Sequence, residues 1–291
     1  MNYGCQSMVD EIKSILIKRP DKAFISQENL NNTWEDYNYI QVPNYKKALE
    51  EFSFFEKVLK NNVEKIYYLP ESSEVGLDSI YTHDSLKITK YGAIYFNTGK
   101  ILRQKESYEV QKYLEAKKIK TLGRINSPGT IEGGDIVWLP NNRVAIGRGY
   151  RTNDEGIRQF KELTKEFINE YIIVPMPHGE GKEECLHLMS VISMVNDKLA
   201  VVYSKYMPIF FRELLLEEGI KLIEVDEEEY NYLGSNILAL KPNVCVALEG
   251  NSKIINELKA NGCKVYTYPG ENLSYLGTGG PTCLTCPIWR E

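Results

Sequence analysis

Two cysteines lie three residues apart in the C-terminal segment GGPTCLTCP, and they allow three kinds of chemistry. Cys283 and Cys286 could be two ligands of a zinc ion, a dithiol redox pair, or the place of a nucleophilic thiolate. Structural zinc needs four nitrogen or sulfur ligands, and the chain has no second C-x-x-C and no H-x-x-x-H. A redox C-x-x-C normally precedes a helix, for which too little chain remains. The nucleophile is therefore favoured, although a small buried thiol is the plainer alternative.

A nucleophilic cysteine needs a histidine for proton transfer, and the chain has three, His83, His178 and His187. His187, in ECLHLMSVISMV, is the candidate, and its alternative is a core histidine at the start of an apolar strand. His83, in LDSIYTHDSL, fits a surface loop equally well. Cys185 and His187 could complete a zinc set on a strand, but the spacing gives no support for it.

Acidic and basic groups follow in two glycine-containing segments. Glu132 and Asp135 flank two glycines in GTIEGGDIVWL, where a bend could bury a carboxylate beside a ligand. The alternative is a turn with exposed acids. Arg151, in GYRTNDEGI, precedes a helix cap, and its alternative is a solvated arginine in a capping loop.

The length and composition are typical of a globular protein. It has 291 residues, 43% of them hydrophobic and 26% charged, with a net charge of −5. The negative charge argues against a nucleic-acid partner. No apolar run reaches a membrane-spanning length, and the N-terminal residues lack the apolar core of a signal peptide. We therefore expect a cytoplasmic protein without a membrane partner, with its six cysteines reduced.

The elements that must position these residues alternate between short apolar strands and amphipathic helices. Helical spacing of apolar residues predicts helices over 43–62, 105–118 and 153–167, and strands are predicted over 64–70 and 92–97. The alternation continues to the C-terminus and favours one α/β domain over 1–291. The pattern alone does not distinguish a doubly wound sheet from a ring of small α/β modules.

The motifs, taken in order, resemble those of the guanidino-group-modifying enzymes. This superfamily contains the arginine deiminases, the dimethylarginine dimethylaminohydrolases and the amidinotransferases. The matching segments are LDSIYTHD, LRQKE, IEGGDIVWL, GRGYRTNDEGI, CLHLMSVISMV and GGPTCLTCP, and the resemblance extends from about residue 10 to the end. It implies the α/β pentein fold, a five-bladed α/β propeller of ββαβ-type modules around a pseudo-fivefold axis, with the active site in the central channel.

The resemblance also implies the catalytic roles. Cys283 aligns with the catalytic cysteine, whereas Cys286 falls where the superfamily has no nucleophile. His187 aligns with the general acid and base, and Glu132 with the carboxylate beside the substrate and this histidine. A thiolate would attack the guanidino carbon, and His187 would protonate the departing amine and then activate water.

Four further positions align with substrate-binding residues. Asp84 matches the aspartate that binds the guanidinium, and Asp78 matches a second acidic contact of the dimethylarginine hydrolases. Arg103 and Arg151 match arginines that hold the α-carboxylate of the substrate. Carboxylates at one end and arginines at the other suit a guanidino amino acid.

Two departures refine the activity. Deiminases and amidinotransferases carry an aspartate two residues after the catalytic histidine, where this chain has Met189, and deiminases usually have arginine where YTHD has His83. We therefore expect an amidino hydrolase that acts on free arginine or an N-substituted arginine, with no cofactor and no metal. An amidinotransferase and a non-catalytic pentein-fold binding protein are the alternatives, although the complete Cys, His, Glu and Asp set disfavours a pure binder. The sequence leaves homo-oligomerisation open.

Overall fold

The computed structural model describes residues 2–291, and these residues form five three-stranded sheets. In every sheet the middle strand pairs antiparallel with one neighbour and parallel with the other. The strands are β1 Ile12–Lys18, β2 Lys65–Leu69, β3 Leu86–Thr89, β4 Gly92–Tyr95, β5 Thr121–Arg124, β6 Ile136–Leu139, β7 Arg143–Arg148, β8 Glu170–Pro175, β9 Ile192–Asn196, β10 Leu199–Val202, β11 Lys221–Glu224, β12 Leu238–Lys241, β13 Val244–Leu248, β14 Lys264–Tyr268 and β15 Cys286–Arg290.

Helices connect the middle strand of each sheet to its parallel neighbour, as a parallel pair requires. The helices are α1 Pro20–Ala23, α2 Gln27–Thr33, α3 Tyr45–Asn62, α4 Glu106–Ala116, α5 Asp154–Thr164, α6 Leu188–Val191, α7 Ile209–Glu217, α8 Glu227–Asn231 and α9 Ser252–Ala260. Within residues 2–291 no helix is both long and apolar enough to span a membrane.

The sheets repeat one module in the orders β3-β4-β5, β6-β7-β8, β9-β10-β11 and β12-β13-β14. The fifth sheet, β15-β1-β2, combines the two ends of the chain, since β1 pairs antiparallel with β15 through Leu16 and Cys286. Separate three-stranded sheets exclude a doubly wound sheet, so the structure settles the alternative that the sequence pattern left open.

Local sequence explains the predicted helices. The predicted helix at 43–62 is α3, whose buried face includes Ala48, Phe52, Phe55 and Leu59 at helical spacing. Asn44 caps its N-terminus by accepting a hydrogen bond from the backbone N–H of Lys47. The predicted helices at 105–118 and 153–167 are α4 and α5, and the predicted strands at 64–70 and 92–97 are β2 and β4.

The first strands of two modules are completely buried. All residues of β3 and β6 are buried, and so are all residues of the middle strands β4 and β10. The segments before β3, β6, β9 and β15 carry four of the seven candidate site residues, namely Asp84, Glu132, His187 and Cys283.

Candidate active site

Each of the five modules contributes one polar side chain from the segment before its first strand. These residues are Asp84 before β3, Glu132 before β6, His187 before β9, Asn236 before β12 and Cys283 before β15. Residues that recur in the corresponding segment of each module in a ring are directed to the same central region. The repeat thus explains how residues 84 to 283 come together.

These segments surround a cavity of about 270 Å3, the active-site cavity. Six of the seven residues predicted from the sequence line it: Asp78, Asp84, Arg103, Arg151, His187 and Cys283. Glu132, the seventh, is fully buried behind His187. The lining also includes Lys100, Cys185 and Asn236, which the sequence analysis did not assign to the site.

His187 and Glu132 form a buried pair, with 2.7 Å between Nε2 and Oε2. The alternative of a core histidine at the start of a strand does not hold for the backbone, because one helical turn, α6, lies between His187 and β9. The histidine caps that turn, and its backbone N–H donates to Ser190 Oγ at 3.1 Å. A Cβ on Gly134 would lie 2.3 Å from His187 Nδ1, so the second glycine of EGGD makes room for the imidazole.

The charges around this pair favour an imidazolium and a carboxylate. Burial opposes the charge on His187, but the nearby Cys185, Asp135 and Asp84 raise its pKa well above the usual value. Burial likewise opposes charge on Glu132, yet the hydrogen bond to His187 and the charge of Arg151 lower its pKa to about 2. His187 is therefore equipped to act first as a proton donor.

Asp84 faces the opposite nitrogen of the imidazole and is held from two sides. Its Oδ1 lies 3.9 Å from His187 Nδ1 and accepts from the backbone N–H of Gly134 at 3.0 Å. Its Oδ2 accepts from Arg103 Nη1 at 2.8 Å. Although burial opposes ionisation, Arg103 and His187 hold the pKa of Asp84 well below its usual range. A buried carboxylate is thus present where a cationic group could bind.

Arg103 is a member of this buried network. Its Nε and Nη2 atoms donate to the two carboxylate oxygens of Glu106 at 3.0 and 2.9 Å, and Nη2 also reaches the carbonyl of Tyr81 at 2.9 Å. With the further bond from Nη1 to Asp84, most N–H groups of the Arg103 guanidinium are used within the protein. The assignment of Arg103 to the substrate carboxylate stays a prediction, and its visible contacts position Asp84.

Arg151 differs from Arg103 although both were predicted to bind the same group. It is 7% exposed and lines the cavity. Its Nη1 lies 3.5 Å from Glu132 Oε1, and within residues 2–291 its guanidinium makes no hydrogen bond. Its donors are therefore available to a ligand carboxylate.

Asp78 lines the cavity as half of an ion pair. Lys100 Nζ donates to Asp78 Oδ2 and to the carbonyl of Tyr37, both at 2.6 Å. The sequence analysis missed Lys100 because a single lysine in NTGKIL carries no distinctive signal. The role predicted for Asp78 in substrate binding stays a prediction.

Cys283 presents its thiol to the cavity beside a buried amide. Asn236 Nδ2 donates to Cys283 Sγ at 3.3 Å. The amide is oriented by Thr282, whose backbone N–H and hydroxyl both donate to Asn236 Oδ1, at 3.0 and 2.6 Å. A Cβ on Gly280 would lie 2.5 Å from the Asn236 side chain, so this glycine permits the close approach. Burial and the charge of Asp84 raise the pKa of the Cys283 thiol to about 11, against the opposing influence of His187 and Asn236.

The two cysteines of TCLTC face different cavities, since Cys283 lines the active-site cavity and Cys286 is buried against a smaller one.

Among residues 2–291, the side chains close enough to hold a metal ion are those of Asp84, Glu132 and His187, whose ligand atoms lie within 4.8 Å of one another. Arg103 and the imidazolium already neutralise these carboxylates. Of the other two histidines, His83 lies in the wall of the active-site cavity, where its ring bonds Thr285 and Lys87. His178 lies outside the cavity and bonds the hydroxyl of Tyr150.

The fold and the site define the class of the protein as a guanidino-group-modifying enzyme of pentein architecture. Residues 19–290 match the family described as N,N dimethylarginine dimethylhydrolase, eukaryotic. The chain belongs to this family, and the resemblance inferred from its motifs is confirmed. This family consists of hydrolases that act on amidine C–N bonds.

Similar sequences extend across most of the chain. It is 23% identical over 286 residues to the uncharacterized protein YkgA of Bacillus subtilis, covering 98% of this chain and 95% of that protein. It is also 26% identical over 190 residues to the arginine deiminase of Mycobacterium avium, covering 55% of this chain and 46% of the deiminase. The chain thus spans about half the length of such deiminases.

A solved structure confirms the fold. The dimethylarginine dimethylaminohydrolase of Pseudomonas aeruginosa, a cysteine-to-serine mutant complexed with citrulline, superimposes with a TM-score of 0.76 at 21% identity. The match covers 96% of this chain and 100% of the other. The predicted pentein fold is therefore correct.

Proposed function

We propose that this protein hydrolyses a guanidino C–N bond of free arginine or an N-substituted arginine, through a covalent intermediate on Cys283. One observation carries the proposal: Cys283, His187 and Asp84 line a single cavity, and Glu132 lies behind His187 in a buried pair. The citrulline bound by the Pseudomonas aeruginosa relative supports a ureido product.

The site would bind the two ends of the substrate with side chains of opposite charge. Asp84 offers an ionised carboxylate to the guanidinium on the cavity wall, and its negative charge, with that of Glu132 behind His187, offsets the desolvation of the guanidinium. Arg151 offers unused donors to the α-carboxylate, with Lys100 as a second cation on the cavity wall. This division of charge favours an amino acid over a guanidino compound that lacks a carboxylate.

The thiol must ionise before it attacks. With its pKa near 11, Cys283 is a neutral thiol in the free protein at neutral pH. A guanidinium bound beside Sγ adds a positive charge, which favours the thiolate, and the proton passes to solvent. Asn236 donates to the resulting anion. The substrate thereby activates its own nucleophile.

The covalent step follows from the positions of Sγ and the imidazolium. The thiolate forms a bond to the guanidino carbon, and His187 transfers a proton to the amine whose C–N bond breaks. The product of this step is a thiouronium on Cys283, with His187 neutral. Water then attacks the same carbon and gives one proton to His187. The C–S bond breaks to release the thiolate, and the new ureido group loses the second proton of the water to solvent.

Water competes with amine acceptors for this intermediate. The residue two positions after His187, an aspartate in the amidinotransferases, is relevant to this choice. Met189, two residues after His187, is buried and lines the cavity. The absence of a carboxylate at this position supports hydrolysis over amidino transfer.

The activity is tested by product analysis. The purified protein is incubated with arginine, mono- and dimethylated arginines and agmatine, and the products are identified by mass spectrometry. We expect a ureido product with ammonia or a methylamine from at least one amino-acid substrate, and none from the Cys283→Ser variant. Transfer of the amidino group to an added amine without any ureido product would reject hydrolysis.

A further inference from the structure

A second, smaller cavity lies behind the active site. It has a volume of about 30 Å3, enough for one or two groups of the size of water, and we name it the rear cavity. Lys87, Trp138 and Arg290 line it, together with apolar side chains and thiols. His83 and Thr282 line both cavities and so form part of the wall between them.

The rear cavity is bordered by hydrogen-bond donors that lack acceptors. Trp138 Nε1 and Arg290 Nε are buried, and neither has a hydrogen-bond partner among residues 2–291. Their side chains are 3% and 8% exposed. Buried N–H groups in folded proteins are nearly always paired, so these two indicate an acceptor that the chain does not supply.

Lys87 adds a buried positive charge to the same cavity. Its Nζ lies 2.6 Å from His83 Nε2, and His83 Nδ1 lies 2.9 Å from the carbonyl oxygen of Thr285. Since a carbonyl only accepts, Nδ1 carries the ring proton and Nε2 accepts from Lys87. Burial lowers the pKa of Lys87 to about 8, which leaves it charged at neutral pH, and two of its three N–H groups remain available.

Neither cation of the rear cavity has an anionic partner. Within residues 2–291, no carboxylate forms an ion pair with Lys87 or with Arg290, and no aspartate or glutamate lines the cavity. Arg290 donates through Nη1 and Nη2 to the carbonyl oxygens of Asp10 and Ala239. The exposed carboxylate of Asp10 is near enough to act on Arg290 through space but makes no ion pair with it.

The two thiols of the cavity do not replace a carboxylate. Burial raises the pKa of Cys286 to about 12, so this group is neutral. Cys5 lies beside Arg290, and its Sγ is 3.8 Å from the carbonyl oxygen of Ser7. Two buried cations therefore share a small cavity into which the chain places no carboxylate.

We propose that the rear cavity binds a monovalent inorganic anion of the size of chloride, held by Lys87, Arg290 and Trp138. Such an ion neutralises the buried charge and accepts the unpaired N–H groups. The site also supports the catalytic segment, because the His83 backbone N–H donates to the carbonyl of Cys283 at 3.2 Å. The inference does not depend on the reaction that the active site performs.

The test compares thermal unfolding in chloride, bromide and gluconate at constant ionic strength and pH. Gluconate is too large for the cavity, so we expect the Tm of the wild type to rise with chloride or bromide in a saturable way. Trp138→Phe removes one N–H while keeping the ring, and it should weaken the apparent chloride affinity by about tenfold. Lys87→Met should abolish the chloride dependence. Trp34→Phe, at a partly buried tryptophan of a different core, should leave it unchanged.

Crystals grown in bromide locate the ion independently of any variant. An anomalous peak between Lys87, Arg290 and Trp138 is the expected result. Equal Tm values in chloride and gluconate together with the lack of a peak would reject the proposal. A chloride effect of full size in both Trp138→Phe and Lys87→Met would reject it too, because the anion would then act elsewhere.

Discussion

Asn236 and Cys283 are joined by a hydrogen bond whose direction is fixed by a third residue. Thr282 donates twice to Asn236 Oδ1, so Nδ2 is the atom that faces Cys283 Sγ, 3.3 Å away. A donor held at this place stabilises a thiolate more than a thiol. In the proposed mechanism Asn236 therefore helps to ionise Cys283, and neither composition nor motif drew attention to it.

Replacing Asn236 by alanine should raise the pKa of Cys283 further. A hydrogen bond to a charged group contributes about 1.5–3 kcal/mol, and sulfur is a weak acceptor, so we expect a rise of about one pKa unit. The pH dependence of Cys283 alkylation by iodoacetamide measures it. Asn231→Ala is the control, because Asn231 lines the same cavity without a hydrogen bond to Cys283. An unchanged alkylation profile in Asn236→Ala would show that the amide has no influence on the thiol.

His187→Ala should lower kcat by about 10²–10⁴-fold, because it removes the positioned proton donor and base. The control is His178→Ala, since His178 contacts Tyr150 outside the active-site cavity and should be dispensable. Rates are measured at saturating substrate and at several pH values. If His178→Ala were as damaging as His187→Ala, or His187→Ala harmless, the acid–base assignment would be wrong.

The protonation of His187 should depend on Cys185. Its Sγ lies 3.7 Å from His187 Nδ1, and this contact is foremost among the influences that raise the pKa of the histidine against the effect of burial. Cys185→Ser should therefore lower the pKa of His187. The imidazolium would be lost at lower pH, and the alkaline limb of the kcat profile should move in the same direction. Cys263→Ser, at a thiol in a separate core, should leave this limb in place.

Substitutions of Arg151 and Arg103, which were predicted to share one role, should have different effects. Arg151→Lys keeps the charge but loses the planar fork, and we expect kcat/KM for arginine to fall by at least about tenfold, with little effect on agmatine. Arg103→Met should act mainly on folding, since it removes the cationic partner of the Glu106 and Asp84 carboxylates and leaves buried negative charge uncompensated. Such losses cost about 3–5 kcal/mol, and urea unfolding measures them. Equal turnover of agmatine and arginine by the wild type would refute the carboxylate role of Arg151.

The local elements of the fold could be predicted, whereas their arrangement could not. The apolar spacing in α3 and the cap at Asn153 before α5 are properties of short segments. The pairing of β1 with β15 joins residues at opposite ends of the chain, and no local pattern encodes it. The pentein fold was predicted from the order of motifs and not from periodicity. At His187 the run of apolar residues suggested a strand, because buried helical turns and buried strands have the same composition.

The residues of the candidate site likewise differ in whether the sequence could identify them. Cys283, His187, Glu132 and Asp84 belong to distinctive glycine-containing or mixed segments that a sequence comparison can detect. Lys100 and Asn236 are ordinary polar residues whose roles depend on contacts with Asp78 and Cys283 far along the chain. The repeated position before the first strand of each module is the signal that would have identified Asn236, and it becomes visible only when the modules are aligned.

The most direct measurement for the proposed mechanism is intact-protein mass spectrometry of the enzyme quenched in acid during turnover, followed by peptide mapping. A thiouronium adduct on Cys283 should appear with the wild type and with Cys286→Ser, which should retain most of the activity. Cys283→Ser should show neither adduct nor turnover. An adduct that maps to Cys286, or full activity of Cys283→Ser, would contradict the assignment of Cys283 as the nucleophile.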